Sequence, residues 1–145
     1  MKALIQRVQH ASVNVEGEPV GSIGPGLLAL IGVEKEDGDA QIDKMLHKLL
    51  NYRIFSDENG KMNLGLAASG GELLLVSQFT LVADTSRGLR PGFSRGASPE
   101  HGQQIFNALL AKARESLPST QSGRFGADMK VELLNDGPVT FMLEV

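Results

Sequence analysis

Leu27-Leu28-Ala29-Leu30-Ile31-Gly32-Val33 is the stretch on which the fold turns. A strand with one wet face alternates apolar and polar residues, but this run is apolar on both faces. It therefore reads as a central strand covered on both sides. Gly24-Pro25-Gly26 breaks the chain before it. Leu73-Leu74-Leu75-Val76-Ser77-Gln78-Phe79-Thr80-Leu81 has the same character after Gly70-Gly71. It is expected to be a second buried strand, with its polar residues gathered at one end.

The rest of the chain arranges itself around these two runs. Lys2 to Val8 and Ser12 to Val15 alternate (Ala3/Ile5, then Val13/Val15), with Glu16-Gly17-Glu18-Pro19 as a turn before Val20. Asp39 is placed to cap a helix whose apolar stripe is Ile42, Met45, Leu46, Leu49 and Leu50. A short strand, Arg53 to Phe55, leads into the turn Asp57-Glu58-Asn59-Gly60. Ser98-Pro99-Glu100 is a strong helix start, with a capping hydroxyl, a proline at the first helical position and an acid in the first turn. Its buried face is Ile105, Phe106, Leu109, Leu110, Ala113 and Leu117, and Pro118 stops it. Ser119 to Gly126 reads as a loop. Two closing strands, Met129 to Leu134 and Val139 to Val145, are joined by Asn135-Asp136-Gly137-Pro138. The expectation is a single α+β domain over residues 1–145, with mainly antiparallel sheet layers and two principal helices packed on one face.

Composition is that of an ordinary globular domain. Of 145 residues, 41% are apolar and 21% charged, which argues against disorder. A chain of this length buries about two-thirds of its unfolded surface, enough for a core without disulfides or metal. The chain has no cysteine, which removes disulfide scaffolds, thiolate metal sites and cysteine nucleophiles together. No basic-then-apolar leader opens it and no apolar run is long enough to span a bilayer, so a soluble, cytoplasmic protein with no membrane partner is expected.

The net charge of −3 excludes a generally cationic nucleic-acid binder. Between Asp84 and Glu100, however, Thr85-Ser86-Arg87-Gly88-Leu89-Arg90-Pro91-Gly92-Phe93-Ser94-Arg95-Gly96 carries three arginines and no acid. Its Gly, Pro and Ser content makes it a loop. Three guanidiniums there can cradle phosphates, or simply sit in solvent.

Catalytic parts of the usual kinds are scarce. His10, His47 and His101 are scattered without metal-ligand spacing, so neither a metal nor a cofactor is expected, and His47 and His101 read as surface residues on helices. Neither a nucleophile elbow nor a phosphate-binding glycine loop is present. Two local features stand out. Ser77-Gln78-Phe79-Thr80 offers two hydroxyls, an amide and a flat ring at the end of a buried strand, suited to an ester, a ribose or a base; a strand running out into solvent would look the same. Asp136-Gly137-Pro138-Val139-Thr140 fits a hairpin turn, yet a Gly-Pro bond can also be cis and aim successive carbonyls to one side.

Taken in order, these segments resemble the bacterial D-aminoacyl-tRNA deacylase family. The resemblance runs from Met1-Lys2-Ala3-Leu4-Ile5-Gln6-Arg7-Val8 and Ala11-Ser12-Val13 through Tyr52-Arg53-Ile54-Phe55-Ser56-Asp57 and Gly60-Lys61-Met62-Asn63. It continues through Ser77-Gln78-Phe79-Thr80-Leu81, Arg90-Pro91-Gly92-Phe93 and Gly123-Arg124-Phe125 to Asn135-Asp136-Gly137-Pro138-Val139-Thr140. One departure is Gly92, where the family is expected to carry a small polar residue such as Ser.

The resemblance implies a homodimer that hydrolyses the ester between a D-amino acid and the terminal ribose of tRNA, and that also clears glycine from mischarged tRNA. It implies a cis Gly137-Pro138 reaching into the partner's pocket to block L-side chains, with Arg7 fixing that motif. Thr80, Gln78 and Ser77 would be the catalytic residues and Phe79 would bind substrate. No histidine stands beside Thr80 in the sequence, so a water assisted by the substrate's 2′-OH is the preferred attacker. Backbone N–H groups around Gln78, Phe79 and Thr80 would stabilise the oxyanion. Arg87, Arg90 and Arg95 would form a local patch for tRNA. The competing readings are a non-catalytic tRNA-binding module, a purely structural dimer and an esterase with Ser or Thr as nucleophile.

Overall fold

In the computed structural model, which describes all 145 residues, the two expected N-terminal strands are one. Strand β1 (Lys2–Val15) is continuous and organises the sheet. On one side its first half pairs antiparallel with β3 (Gly26–Gly32) and its second half with β2 (Glu18–Ile23). On its other side it pairs antiparallel with β8 (Lys130–Glu144). Beyond β3 the pairing turns parallel, first to β6 (Glu72–Ser77) and then to β7 (Gln121–Ser122). The expected antiparallel character therefore belongs to the three pairings of β1, and the far side of the sheet is parallel.

The apolar run at 27–31 is explained by what covers its two faces. On one face Leu27, Ala29 and Ile31 join Leu73 and Leu75 under α1 (Asp39–Asn51) and α3 (Pro99–Ser116). On the other, Leu28 meets Leu74, Val76, Val8, Ala11, Val13 and Ile23. The sheet curls so that β2 and the second half of β1 close over β3 and β6. Gly21 is where β2 crosses closest: a Cβ there would come within 2.6 Å of the Ser122 carbonyl oxygen.

Both principal helices lie on the same face, as expected. In α1, Ile42, Met45 and Leu49 are buried, while Leu46 and Leu50 are only partly so. The cap is Gly38 rather than Asp39, and the Gln41 side chain accepts from the Gly38 N–H at 2.9 Å. In α3 the start is as read: Ser98 Oγ accepts from the His101 N–H at 3.2 Å. His101 is not merely a surface group, because its Nε2 lies 2.9 Å from the Asp37 carbonyl oxygen. Between the helices, β4 (Phe55–Ser56) and β5 (Met62–Leu64) form a small hairpin, followed by one short turn of helix, α2 (Leu66–Ser69). No helix is long and apolar enough to cross a membrane.

Three sequence expectations are corrected. The strand expected to run to Leu81 ends at Ser77, and Phe79–Val82 is a 3-10 turn. The loop expected at 119–126 carries β7, which adds the last parallel strand. Asn135-Asp136-Gly137-Pro138 does not reverse the chain. Asn135 sits opposite Val8 and Thr140 opposite Gln6, so β8 keeps its direction and Asp136 to Val139 swell outward past the single residue Arg7. Asp-Gly chemistry predicts a hairpin, but both flanks of this segment can pair with β1, and that pairing decides the path.

Candidate active site

The polar end of β6 turns away from the sheet because β3 lets it. The Gln78 N–H donates to the Ile31 carbonyl at 2.7 Å, the last ladder bond, and the 3-10 turn then passes over Gly32. A Cβ on Gly32 would meet Val82 Cγ1 at 2.8 Å, Leu81 Cβ at 3.1 Å and the Gln78 carbonyl oxygen at 3.3 Å. Glycine is the residue that permits this approach. The turn presents Phe79 and Thr80 to solvent and leaves Ser77 and Gln78 half-buried.

Three of these residues, Thr80 excepted, form one wall of a cleft of about 290 Å³. Ser77, Gln78 and Phe79 line it together with Ile31 and Val33 from beneath, Ser98, Pro99 and Gly102 from the first turn of α3, and Phe125 opposite. Gln78 Nε2 donates to Thr80 Oγ1. No histidine or carboxylate hydrogen-bonds either side chain, so Thr80 lacks the base a hydroxyl nucleophile needs. The Phe79 and Thr80 N–H groups open the 3-10 turn and have no partner within it. The Gln78 N–H, expected among the oxyanion donors, is already committed to Ile31. No cluster of three or more histidine or acidic side chains is placed to hold a metal ion.

The arginine loop closes beside this cleft. Asp84 and Gly92 pair through two backbone hydrogen bonds of 2.7 and 2.9 Å, and Phe93 packs against Phe79 with ring centroids 5.4 Å apart and the rings tilted by 47°. Asp84 Oδ1 accepts from Ser86 Oγ at 2.6 Å and from the Ser86 N–H at 3.0 Å. Those hydrogen bonds, with a smaller contribution from Arg95, hold the Asp84 carboxyl below its ordinary value. Arg95 leans on Asp84 at 4.0 Å, whereas Arg87 and Arg90 are exposed and unpaired.

Gly137 and Pro138 lie elsewhere. Arg7 faces Leu27 and the Gln78 N–H bonds Ile31, four residues and about 13 Å along the same strand. Arg7 Nε donates to the Asp136 carbonyl at 2.9 Å and its Nη1 to the Ile54 carbonyl at 2.7 Å, filling the opening made by the bulge. Asn135 clamps the bulge from inside: its Oδ1 accepts from the Val139 N–H at 2.8 Å, and its Nδ2 donates to Thr140 Oγ1 at 3.0 Å and to the Val139 carbonyl at 3.2 Å. The Gly137–Pro138 peptide is cis, both residues are exposed, and Gly137 has φ +152°. A Cβ there would lie 2.5 Å from Val139 Cγ2. Arg7 and Asp136 border a second cleft of about 260 Å³ that shares no residue with the first. Within one chain, then, Ser77, Gln78, Phe79 and Thr80 come together, and Gly137, Pro138 and Arg7 come together at another place.

Sequence reasoning missed Gly32, Asn135, Phe125 and the start of α3 as parts of these sites. Only Gly32 carried a usable signal, a glycine inside an otherwise apolar strand.

The fold and site define an α+β domain with an apolar-floored cleft and a hydroxyl-amide wall, and its relatives say which family it belongs to. A sequence profile of the D-Tyr-tRNA(Tyr) deacylase family matches residues 4–144. The chain is 65% identical over 144 residues to a D-aminoacyl-tRNA deacylase of Azotobacter vinelandii, covering 99% of each. Among solved structures it resembles a c-Myc DNA unwinding element binding protein, with TM-score 0.95 and 38% identity over 100% of this chain and 99% of that one. It shares its fold with a probable eukaryotic D-amino acid tRNA deacylase, at TM-score 0.84 and 14% identity over 99% and 98% of the two chains. The chain belongs to the D-Tyr-tRNA(Tyr) deacylase family and, as a member, is a hydrolase.

Proposed function

We propose that this enzyme hydrolyses the ester of D-aminoacyl-tRNA to free D-amino acid and tRNA, as a chiral proofreading step in the cytoplasm. The observation that carries the chemical part is the wall of the first cleft, which offers hydrogen bonds and a flat ring but no side-chain base. A water oxygen attacks the ester carbonyl carbon, the bond to the ribose oxygen breaks, and the proton passes to that oxygen by way of the neighbouring 2′-OH. The Phe79 and Thr80 N–H groups face the developing oxyanion, an effect worth about 3 kcal/mol per donor. Ser77, Gln78 and Thr80 hold the carbonyl and ribose, and Phe79 packs against the substrate.

Selectivity rests on Gly137 and Pro138, which stand exposed on an anchored bulge away from their own chain's cleft. They serve the cleft of a second copy, where they exclude L-side chains; glycine, with none to exclude, is also hydrolysed. A homodimer is supported by β8, an edge strand paired only with β1 that exposes Leu134, Phe141 and Met142. A long apolar edge invites a partner. Arg87 and Arg90 meet tRNA phosphates, with Arg95 a weaker contributor because it leans on Asp84.

Thr80→Val separates this chemistry from a threonine nucleophile. Substantial single-turnover hydrolysis by the variant, together with its collapse on a substrate lacking the terminal 2′-OH, supports the proposal. Complete loss in a folded variant that still binds tRNA, or trapping of an acyl-enzyme, overturns it.

A further inference from the structure

Besides the β8 edge, a second group of exposed apolar side chains lies beside the first cleft. Phe79, 68% exposed, and Phe93 pack tilted against each other at its mouth, and Leu89 at the tip of the adjoining loop is fully exposed, at 103%. Leu89 is flanked by Arg87 and Arg90, whose guanidiniums make no ion pair. The tip is built rather than loose. Its base is the Asp84–Gly92 backbone pair, and the Asp84 carboxylate ties down Ser86 and draws in Arg95. An ordered tip that holds a leucine wholly in water between two free cations is suited to a partner carrying apolar faces and negative charge at the same spacing.

A single-stranded nucleic acid has that pattern, with bases and phosphates both accessible along its length. A duplex hides its base faces and would have no use for the leucine. Leu89 is three residues before Gly92, at most about 10 Å from the base of the loop. Its reach is therefore confined to what emerges next to the cleft.

We infer that Leu89, between Arg87 and Arg90, holds the single-stranded RNA tail just upstream of the nucleotide that carries the amino acid. This rests on the aminoacyl-tRNA reading above and adds a subsite to it. Phe79 and Phe93 mark where the tail leaves the cleft, and Leu89 packs against a base beyond that point while the arginines neutralise the flanking phosphates.

The test compares KM for D-aminoacyl-adenosine and for a D-aminoacylated trinucleotide ending in the same adenosine. For wild-type enzyme the KM of the longer substrate is expected to be roughly tenfold lower, the scale of one base contact. Leu89→Ser is expected to bring the two KM values together, Leu89→Met to restore the gap, and Arg87→Gln with Arg90→Gln to flatten the salt dependence of the trinucleotide's KM. A gap that survives Leu89→Ser, or an equal loss on both substrates, overturns the subsite while leaving the deacylase reading intact. Failure of wild-type enzyme to hydrolyse either D-ester overturns the deacylase reading itself, and the subsite with it.

Discussion

Gly32 sets where the reactive wall stands, because the Ser77–Thr80 segment can leave the sheet only by crossing a residue with no side chain. Gly32→Ala should push the 3-10 turn outward, costing about 1–3 kcal/mol in stability and at least tenfold in kcat/KM. A melting curve and steady-state deacylation measure the two effects. Asn135 has the corresponding role at the bulge. Removing its three hydrogen bonds by Asn135→Ala should cost about 1–2 kcal/mol and narrow the preference for D- over L-substrate several-fold, read from the ratio of the two rates. Asp84 gives a pH statement. Its carboxyl is held below the ordinary 3.8 in the folded chain, so its contribution is fully present above that value and is lost only as pH falls through the lower, folded one. The Ser86 amide resonance should therefore hold its position between pH 7 and pH 5 and move only below 3.8, checked by an NMR pH titration. At this scale the sequence was legible in side-chain chemistry and mute on backbone commitments. Nothing in Gln78 itself announces that its N–H is spent on Ile31, nor in Asn135 that its amide closes the bulge from Asp136 to Val139.

Elements with a local code were the most legible. Ser98-Pro99-Glu100 carries its cap, its proline and its acid within one turn, and α3 begins there. Ser98→Ala should lower stability by about 1 kcal/mol, a shift of roughly 3 °C in Tm for a chain of this size. Because Ser98 also borders the cleft, its loss should raise KM more than it lowers kcat. Two of the misread segments failed for a common physical reason. Leu73 to Leu81 is apolar enough to continue as a strand, but its partner β3 ends at Gly32 and takes the ladder with it. Asn135 to Pro138 has every local mark of a hairpin, but β1 is long enough to pair with the chain on both sides of it. In both places a neighbouring strand's length outweighed local propensity.

At the scale of the molecule, the covered run at 27–33 did foretell a central strand, and the curl of the sheet explains why both its faces are apolar. The curl itself was not legible, since it depends on β1 pairing with three strands at once. What remains unsatisfied in the folded chain is the outer edge of β8 and the two sites it keeps apart. In the proposed dimer a second copy brings them together. Met142→Glu, on the exposed edge, should yield a folded monomer by sedimentation whose preference for D- over L-substrate falls at least tenfold, because each cleft then lacks its neighbour's Gly137 and Pro138. A wild-type monomer that still distinguishes D from L would contradict that arrangement. The most direct measurement of the whole account is a deacylation time course on matched D-tyrosyl- and L-tyrosyl-tRNA, with a no-enzyme control. Rapid loss of the D ester with the L ester decaying at the spontaneous rate is the predicted result; equal loss of both, or of neither, would contradict it.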